Sequence, residues 1–206
     1  MTDRIVAELL SSSPWAEGRA ARSRLVEGAE EDGLLDIAYR TVDSPVGPLL
    51  LAATPVGLLR VAFAGEGHDG VLAVLAQRVS PRILAAPGRL DEVARQLGQY
   101  FDGARRTFDL PMDLRLSRGF RRAVLDRLVA TAYGQTVSYA ALAAASGSPA
   151  AVRAVGSACA TNPVPVVVPC HRVVRSDGRL GQYLGGVDAK RTLLDLEAGG
   201  GACAPE

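Results

Sequence analysis

Apolar positions along this chain change their spacing twice, and each change marks a change of structure. Up to residue 36 they are scattered among Ala, Arg, Ser and Glu, with one amphipathic stretch near residues 4–10. This segment reads as a weakly ordered extension. From residue 37 they gather into short runs separated by turn chemistry. Residues 37–42 predict a strand, Asp43-Ser44-Pro45-Val46-Gly47 a turn, residues 49–53 a second strand, Thr54-Pro55-Val56-Gly57 another turn, and residues 58–64 a third strand. Strands joined by such short turns form an antiparallel meander.

Beyond residue 70 the apolar spacing becomes helical. Residues 71–79 and 90–101 predict helices, the second placing Leu90, Val93, Ala94, Leu97 and Phe101 on one face. Residues 103–116, interrupted by Pro111, read as a linker. Residues 120–131 follow as a helix with Phe120, Val124, Leu128 and Val129 apolar. Then come residues 138–145, a Ser146-Gly147-Ser148-Pro149 turn, and a helix over 150–160. Two short helices split by a Gly-containing turn suggest a helix-turn-helix. A last helix spans 188–197, and residues 199–206 read as a disordered tail. The fold class is therefore α+β. A small antiparallel three-stranded sheet with helices occupies 37–110, and a mainly helical domain with a helix-turn-helix occupies 111–198.

With 206 residues, 48 % of them hydrophobic, the chain can bury a sizeable core. No apolar run is long enough to span a membrane, and Asp3 and Glu8 interrupt the N-terminal stretch, so a signal peptide is not expected. Three cysteines, Cys159, Cys170 and Cys203, fit neither a disulfide framework nor a zinc cluster, which points to a reducing cytoplasmic setting. Charge is unevenly spread. Residues 1–103 carry ten arginines against fourteen carboxylates, and residues 104–191 carry thirteen cations against five. A basic second half favours a polyanionic partner. The helix over 150–160 adds to this, because Ala154, Gly156, Ser157, Ala158 and Ala160 are small while Arg153 projects near its start. Such a helix can approach another surface closely, either a neighbouring helix or a nucleic-acid groove.

Candidate chemistry is concentrated in Val166-Val167-Val168-Pro169-Cys170-His171-Arg172-Val173-Val174. The three valines read as a buried strand, and Pro169 ends regular pairing, so the Cys170 side chain can leave the sheet. A thiol becomes strongly nucleophilic as the thiolate, which requires a base or positive surroundings. His171 is adjacent, but neighbours on an extended segment point to opposite faces, so a bridging water is one route for the proton. A carboxylate to orient the imidazole is available at Asp177, Asp188, Asp195 or Glu197, with Glu197 at the helix end preferred.

Pro169-Cys170-His171-Arg172-Val173 resembles the active-site signature of the O6-alkylguanine-DNA alkyltransferases, the methylated-DNA–protein-cysteine methyltransferases. Further pieces are similar in order and spacing. They are Tyr133-Gly134, Ser138-Tyr139, Ala151-Val152-Arg153-Ala154-Val155-Gly156, Asn162-Pro163-Val164-Pro165, Gly181-Gln182-Tyr183-Leu184-Gly185-Gly186, Lys190-Arg191 and Leu193-Leu194-Asp195-Leu196-Glu197. The resemblance runs from about residue 37 to 197. It implies a ribonuclease H-like N-terminal domain and a DNA repair protein that moves an alkyl group from guanine O6 to Cys170, once per molecule and without a cofactor. By the same resemblance His171 is the base acting through water, Glu197 orients it, and Tyr139 contacts the flipped base and assists its departure. Asn162 forms a hinge, and Tyr183 lines the alkyl pocket. Backbone groups of Cys170, Val173 and Leu184 bind the guanine, and Lys190 has a supporting role. Arg153 fills the gap left in the duplex, on a helix whose Ala154, Gly156 and Ser157 face DNA. The implied partner is double-stranded DNA containing O6-alkylguanine, bound by a monomer with cooperativity left open.

Two departures qualify the resemblance. Leu184 stands where relatives often carry a small or polar residue, and the N-terminal domain has His68 but no cysteine, so the zinc site of some relatives is not expected. Two alternatives carry different chemistry. A non-catalytic lesion-binding relative would lack the acceptor thiol, and a cysteine hydrolase would have no need of a basic helix-turn-helix.

Overall fold

The computed structural model describes residues 32–199 continuously, together with Ala21, 24–26, 28 and 29. The amphipathic stretch at 4–10 and the tail with Cys203 lie outside the described residues. Within the extension, Arg24, Leu25, Val26, Gly28 and Ala29 are helical, and Val26 and Ala29 pack against the main core at helical spacing.

Three predicted strands form as β1 (Ile37–Val42), β2 (Leu49–Thr54) and β3 (Gly57–Phe63). β1 and β2 pair antiparallel with Ala38 opposite Ala53, and β2 and β3 pair antiparallel with Leu49 opposite Phe63. The three-stranded antiparallel expectation is nevertheless incomplete. After helix α1 (His68–Arg78) the chain returns as β4 (Ile83–Ala85), which pairs parallel with β1 and makes a mixed sheet of order β3-β2-β1-β4. Only three residues between Pro81 and Pro87 belong to β4, too few to display a period.

Central strand β2 is buried on both sides, which is why its Leu-Leu-Leu-Ala-Ala run lacks the alternation of a half-exposed strand. One face of the sheet meets α1 through Ile37, Ala52, Leu59 and Leu75. The other face meets helix α2 (Asp91–Phe101) and runs on into the second domain as one continuous core. On α2 the buried row is Val93, Gln96, Leu97 and Tyr100, so Tyr100 takes the innermost position expected of Phe101.

Residues 103–116 connect the halves, and part of this linker is bound to the sheet. Leu58 N–H donates to the Pro111 carbonyl at 2.8 Å, Asp113 N–H donates to the Leu58 carbonyl at 2.9 Å, and Thr54 Oγ1 donates to the Asp113 carboxylate at 2.6 Å. This close approach is possible because Gly57, at φ 150°, has no side chain. A Cβ there would lie 2.2 Å from the Pro111 oxygen.

The second domain contains α3 (Phe120–Val129), β5 (Val137–Ser138), α4 (Tyr139–Ala145), α5 (Val152–Ala160), β6 (Val173–Val174) and α6 (Gly186–Glu197). α4 begins where Ser138 Oγ accepts the Ala141 N–H at 3.1 Å, and α4 and α5 form the expected helix-turn-helix across Gly147. The predicted strand at Val166-Val167-Val168 does not form. All three valines are buried, but the chain turns there, with Val166 at φ 73° and Val168 N–H donating to the Val164 carbonyl at 2.9 Å. Pro163, Pro165 and Pro169 have no N–H to offer a ladder. Asn162 closes the turn instead, its Nδ2 donating to the Val168 carbonyl at 2.9 Å and its Oδ1 accepting the Val164 N–H at 3.1 Å. Among the described residues no helix is long and apolar enough to cross a membrane.

Gly57→Ala is expected to destabilise the protein by about 2 kcal/mol or more, through left-handed strain plus collision with the linker. Gly47→Ala, where φ is 89° and the space is open, is expected to lose only about 1 kcal/mol. Urea unfolding of the two variants checks this, and equal losses would contradict the linker contact.

Candidate active site and an exposed helix face

Pro169 opens a single 3-10 turn over Cys170–Arg172 rather than an extended segment. Cys170, His171 and Arg172 are all buried on it, so the opposite-face expectation for adjacent side chains does not apply. Asn162 Nδ2 donates to Cys170 Sγ at 3.1 Å, so the side chain that closes the valine turn also holds the thiol. Burial pushes the Cys170 thiol up to about 11, with the Asn162 hydrogen bond and the Lys190 charge pulling the other way. At neutral pH the group is a thiol and needs a base.

His171 is fully buried, and its Nε2 lies 2.8 Å from Glu197 Oε1. An ionised carboxylate only accepts, so the imidazole proton sits on Nε2 and the lone pair on Nδ1. Nδ1 is buried and makes no hydrogen bond among the described residues, Cys170 Sγ included. Burial drives the His171 pKa below its ordinary value of 6.5. Glu197 opposes that shift, while Arg172 and Lys190 add to it. A neutral imidazole with a free nitrogen is thus available as a proton acceptor.

Glu197 ends α6 with its carboxylate almost wholly buried. Arg172 grips it in a fork, Nε to Oε2 and Nη2 to Oε1, both at 2.8 Å. Tyr100 Oη donates to Oε1 at 2.7 Å, and Gly134 N–H donates to Oε2 at 3.1 Å. Burial alone would raise this carboxyl, but the donors from His171, Arg172 and Tyr100 outweigh it and hold the pKa far below the usual range. Arg172 Nη1 also donates to the Thr131 carbonyl, fixing the loop before β5.

The structure brings several other predicted residues to this centre. Lys190 is fully buried, and its Nζ donates to the Val173 carbonyl at 2.6 Å, tying α6 to β6. The Tyr183 ring stands edge-on between Phe63 of β3, at 5.6 Å, and His171, at 6.3 Å. Its hydroxyl is buried with no partner among the described residues. Tyr139 opens α4 half-buried, with burial and the two cysteines Cys159 and Cys170 raising its pKa. A Cβ at Gly181 would lie 2.4 Å from its hydroxyl, so any larger residue there would have to displace the Tyr139 ring. Leu184 is half-exposed and lines a groove with Asn162, Pro163 and Arg60.

The predicted nucleic-acid residues lie apart from this cluster, on the outer face of α5. Arg153, Ala154 and Ser157 are exposed, whereas Val155, Ala158 and Cys159 face inward. Gly156 is half-exposed, and a Cβ built on it meets nothing within 4 Å. Packing within the protein therefore does not require the outer face to be small. Arg118 and Arg121 line a cleft with Ala154 and Ser157, and neither arginine is in an ion pair among the described residues.

Sequence reasoning overlooked Tyr100 and the part played by Arg172. Tyr100 lies on the apolar stripe of α2, where periodicity marks core, and nothing in that stripe signals a hydroxyl reaching a carboxylate 97 positions away. Arg172 sits inside the Pro-Cys-His-Arg motif, so proximity to the thiol was its available signal.

Comparison with known proteins covers nearly all of the described region. Residues 37–114 match the ribonuclease-like domain of 6-O-methylguanine DNA methyltransferase, and residues 119–199 match its DNA binding domain. The methylated-DNA–protein-cysteine methyltransferase of Mycobacterium tuberculosis H37Rv is 40% identical over 167 residues, covering 78% of this chain and 92% of that protein. The Homo sapiens protein of the same name is 36% identical over 163 residues, covering 76% of this chain and 78% of that protein. A crystal structure of the M. tuberculosis O6-methylguanine methyltransferase superposes with a TM-score of 0.70 at 37% identity, covering 82% of this chain and 96% of that one. A structure of M. tuberculosis OGT in complex with DNA gives the same TM-score over 81% of this chain and 96% of that one. With both domains matched in order, the chain belongs to the 6-O-methylguanine DNA methyltransferase family.

Proposed function

We propose that this protein repairs DNA by transferring the alkyl group of O6-alkylguanine irreversibly to its own Cys170, one group per molecule. The observation that carries this reading is the pairing of two buried contacts, Asn162 on the Cys170 sulfur and Glu197 on His171 Nε2, which leaves Nδ1 free as a base. The Cys170 proton passes to Nδ1 through a bridging water, and the thiolate attacks the alkyl carbon in line with the departing oxygen. A C–S bond forms as the C–O bond breaks, and the electron pair leaves with guanine, which takes a proton from Tyr139 Oη. Solvent reprotonates Tyr139 as His171 gives up the proton it took from Cys170, so the net change is one proton moved from thiol to guanine. The resulting thioether is not reversed by water, so Cys170 is a reactant. No cofactor is required, because the substrate carries the group it donates.

An alkyl carbon on O6 is shielded inside a duplex, so the nucleotide must first be extruded, which costs roughly a few kcal/mol. Arg153 on the exposed face of α5 fills the vacated space, while Ala154, Gly156 and Ser157 let the helix backbone close on the minor groove. Arginines such as Arg118 and Arg121 add phosphate contacts that carry no sequence preference, as suits a lesion that occurs anywhere. Backbone groups of Cys170, Val173 and Leu184 bind the extruded guanine, Tyr183 lines the alkyl pocket, and Lys190 steadies the Val173 carbonyl that helps bind the base. Residues 37–110 then act as a supporting domain and residues 111–198 as the DNA-binding and reacting domain. The protein works as a monomer in the cytoplasm on double-stranded DNA. The acceptor thiol is in place beside its base, which favours transfer over mere lesion binding.

Incubation with O6-methylguanine duplex is expected to add one methyl mass to the Cys170 peptide, and Cys170→Ala to abolish repair while keeping DNA affinity. Unmodified Cys170 beside unrepaired DNA refutes the reading. Arg153→Ala should slow repair of duplex substrate at least tenfold more than reaction with free O6-benzylguanine, and equal slowing in the two assays removes the extrusion role. A pH series with O6-benzylguanine addresses the base. Because His171 titrates below 6.5, the rate should be level above pH 7 and fall in acid with a midpoint under that value. A steady rise of about tenfold per pH unit through the alkaline range would instead mean that the thiolate forms without His171.

A further inference from the structure

We propose that Tyr100, supplied by the N-terminal domain, is a positioning residue for alkyl transfer. It holds the Glu197 carboxylate and thereby fixes the His171 proton on Nε2 and the lone pair on Nδ1. The inference rests on reading His171 as the base for Cys170, and extends that machinery into a domain with no part in the transfer itself.

Tyr100 is fully buried on the inner face of α2. Its hydroxyl has one proton, and that proton is committed to Glu197 Oε1 at 2.7 Å. Tyr100 Oη itself lies 3.5 Å from His171 Nε2, toward which it can then only accept. Nε2 is thus bracketed by two acceptors, Glu197 Oε1 and Tyr100 Oη, and a ring turned to present a bare lone pair there would face both. Tyrosine ionisation does not interfere, since burial and the neighbouring Glu197 charge raise the Tyr100 pKa and keep the phenol a neutral donor.

Packing does not account for the hydroxyl. The Tyr100 ring contacts Phe101, Phe108 and Tyr133 at centroid distances of 5.4, 5.3 and 6.1 Å, contacts that phenylalanine would make equally well. What the hydroxyl adds is a share in Oε1. The groups around His171 are Glu197 and Lys190 from α6, Arg172 and Cys170 from its own turn, Tyr100 from α2, and Tyr183 from the loop before α6. Of these, Glu197 alone carries a charge that favours the imidazolium. Tyr100 takes part of the charge on the very oxygen that His171 uses, so it tempers the basicity of His171 as well as its orientation.

Tyr100→Phe keeps the ring and removes only this donor, and Leu97→Ala serves as a control that loosens α2 without touching the relay. Alkylation of Cys170 by O6-benzylguanine is followed by mass and by single-turnover rate across pH, with DNA affinity measured in parallel. Tyr100→Phe should react about five- to tenfold more slowly at neutral pH, with its acid limb moved to higher pH by several tenths of a unit and DNA affinity unchanged. Leu97→Ala should lower the melting temperature and leave the acid limb in place. The chain has only two histidines, so 15N NMR resolves the His171 imidazole. It should be a single Nε2-protonated tautomer in the parent and a mixture or a displaced titration in Tyr100→Phe. A Tyr100→Phe protein whose rate, pH profile and imidazole spectrum match the parent overturns the proposal, as does slowing with an unmoved acid limb and unchanged imidazole spectrum. A parent protein that gains no mass on Cys170 refutes the repair reading itself, and is told apart by occurring before any substitution is made.

Discussion

One buried negative charge, the Glu197 carboxylate, organises both domains. A carboxylate withdrawn from water is strongly unfavourable unless donors replace its hydration. Here they come from three separated segments: Tyr100 on α2, Gly134 in the loop before β5, and His171 and Arg172 on the 3-10 turn, all converging on a residue at the end of α6. Removing any one of these segments would strand part of a charge. The placement of the reactive turn and the protonation state of His171 therefore answer to one electrostatic requirement, which also joins α2 to the second domain alongside the shared apolar core.

The reacting sulfur is governed by a second, smaller device. Asn162 satisfies the backbone of a proline-interrupted turn with both ends of its amide and still directs Nδ2 at Cys170. The valine segment holds a left-handed residue because its alternatives are closed by three prolines and by complete burial. Residues that in isolation favour an extended strand are thereby turned into a rigid loop that delivers the thiol to the end of α6.

These two devices mark where sequence reasoning succeeds and where it stops. The meander, α2, the helix-turn-helix and α6 are legible because their apolar spacing persists for a full strand or several helical turns. Cys170, His171 and Glu197 are legible through motif and resemblance. β4 is too short to show a period, and Val166 to Val168 follow β propensity on paper while tertiary burial and proline dictate a turn. Tyr100 is hidden for another reason. Periodicity reports which face of a helix is buried, and it is silent about whether a buried hydroxyl there meets a charge from the far end of the chain.

Gly156 shows a different kind of constraint. Glycine in mid-helix lowers helix stability by about 1 kcal/mol relative to alanine, and the space beside Gly156 would admit a methyl group without any collision. α5 is only nine residues long, so this is a substantial fraction of its local stability. The outer face of α5, where Arg153, Ala154 and Ser157 are exposed, is therefore both lower in relief and easier to deform than alanine at this position would leave it. Its contour and its compliance come from the same missing side chain.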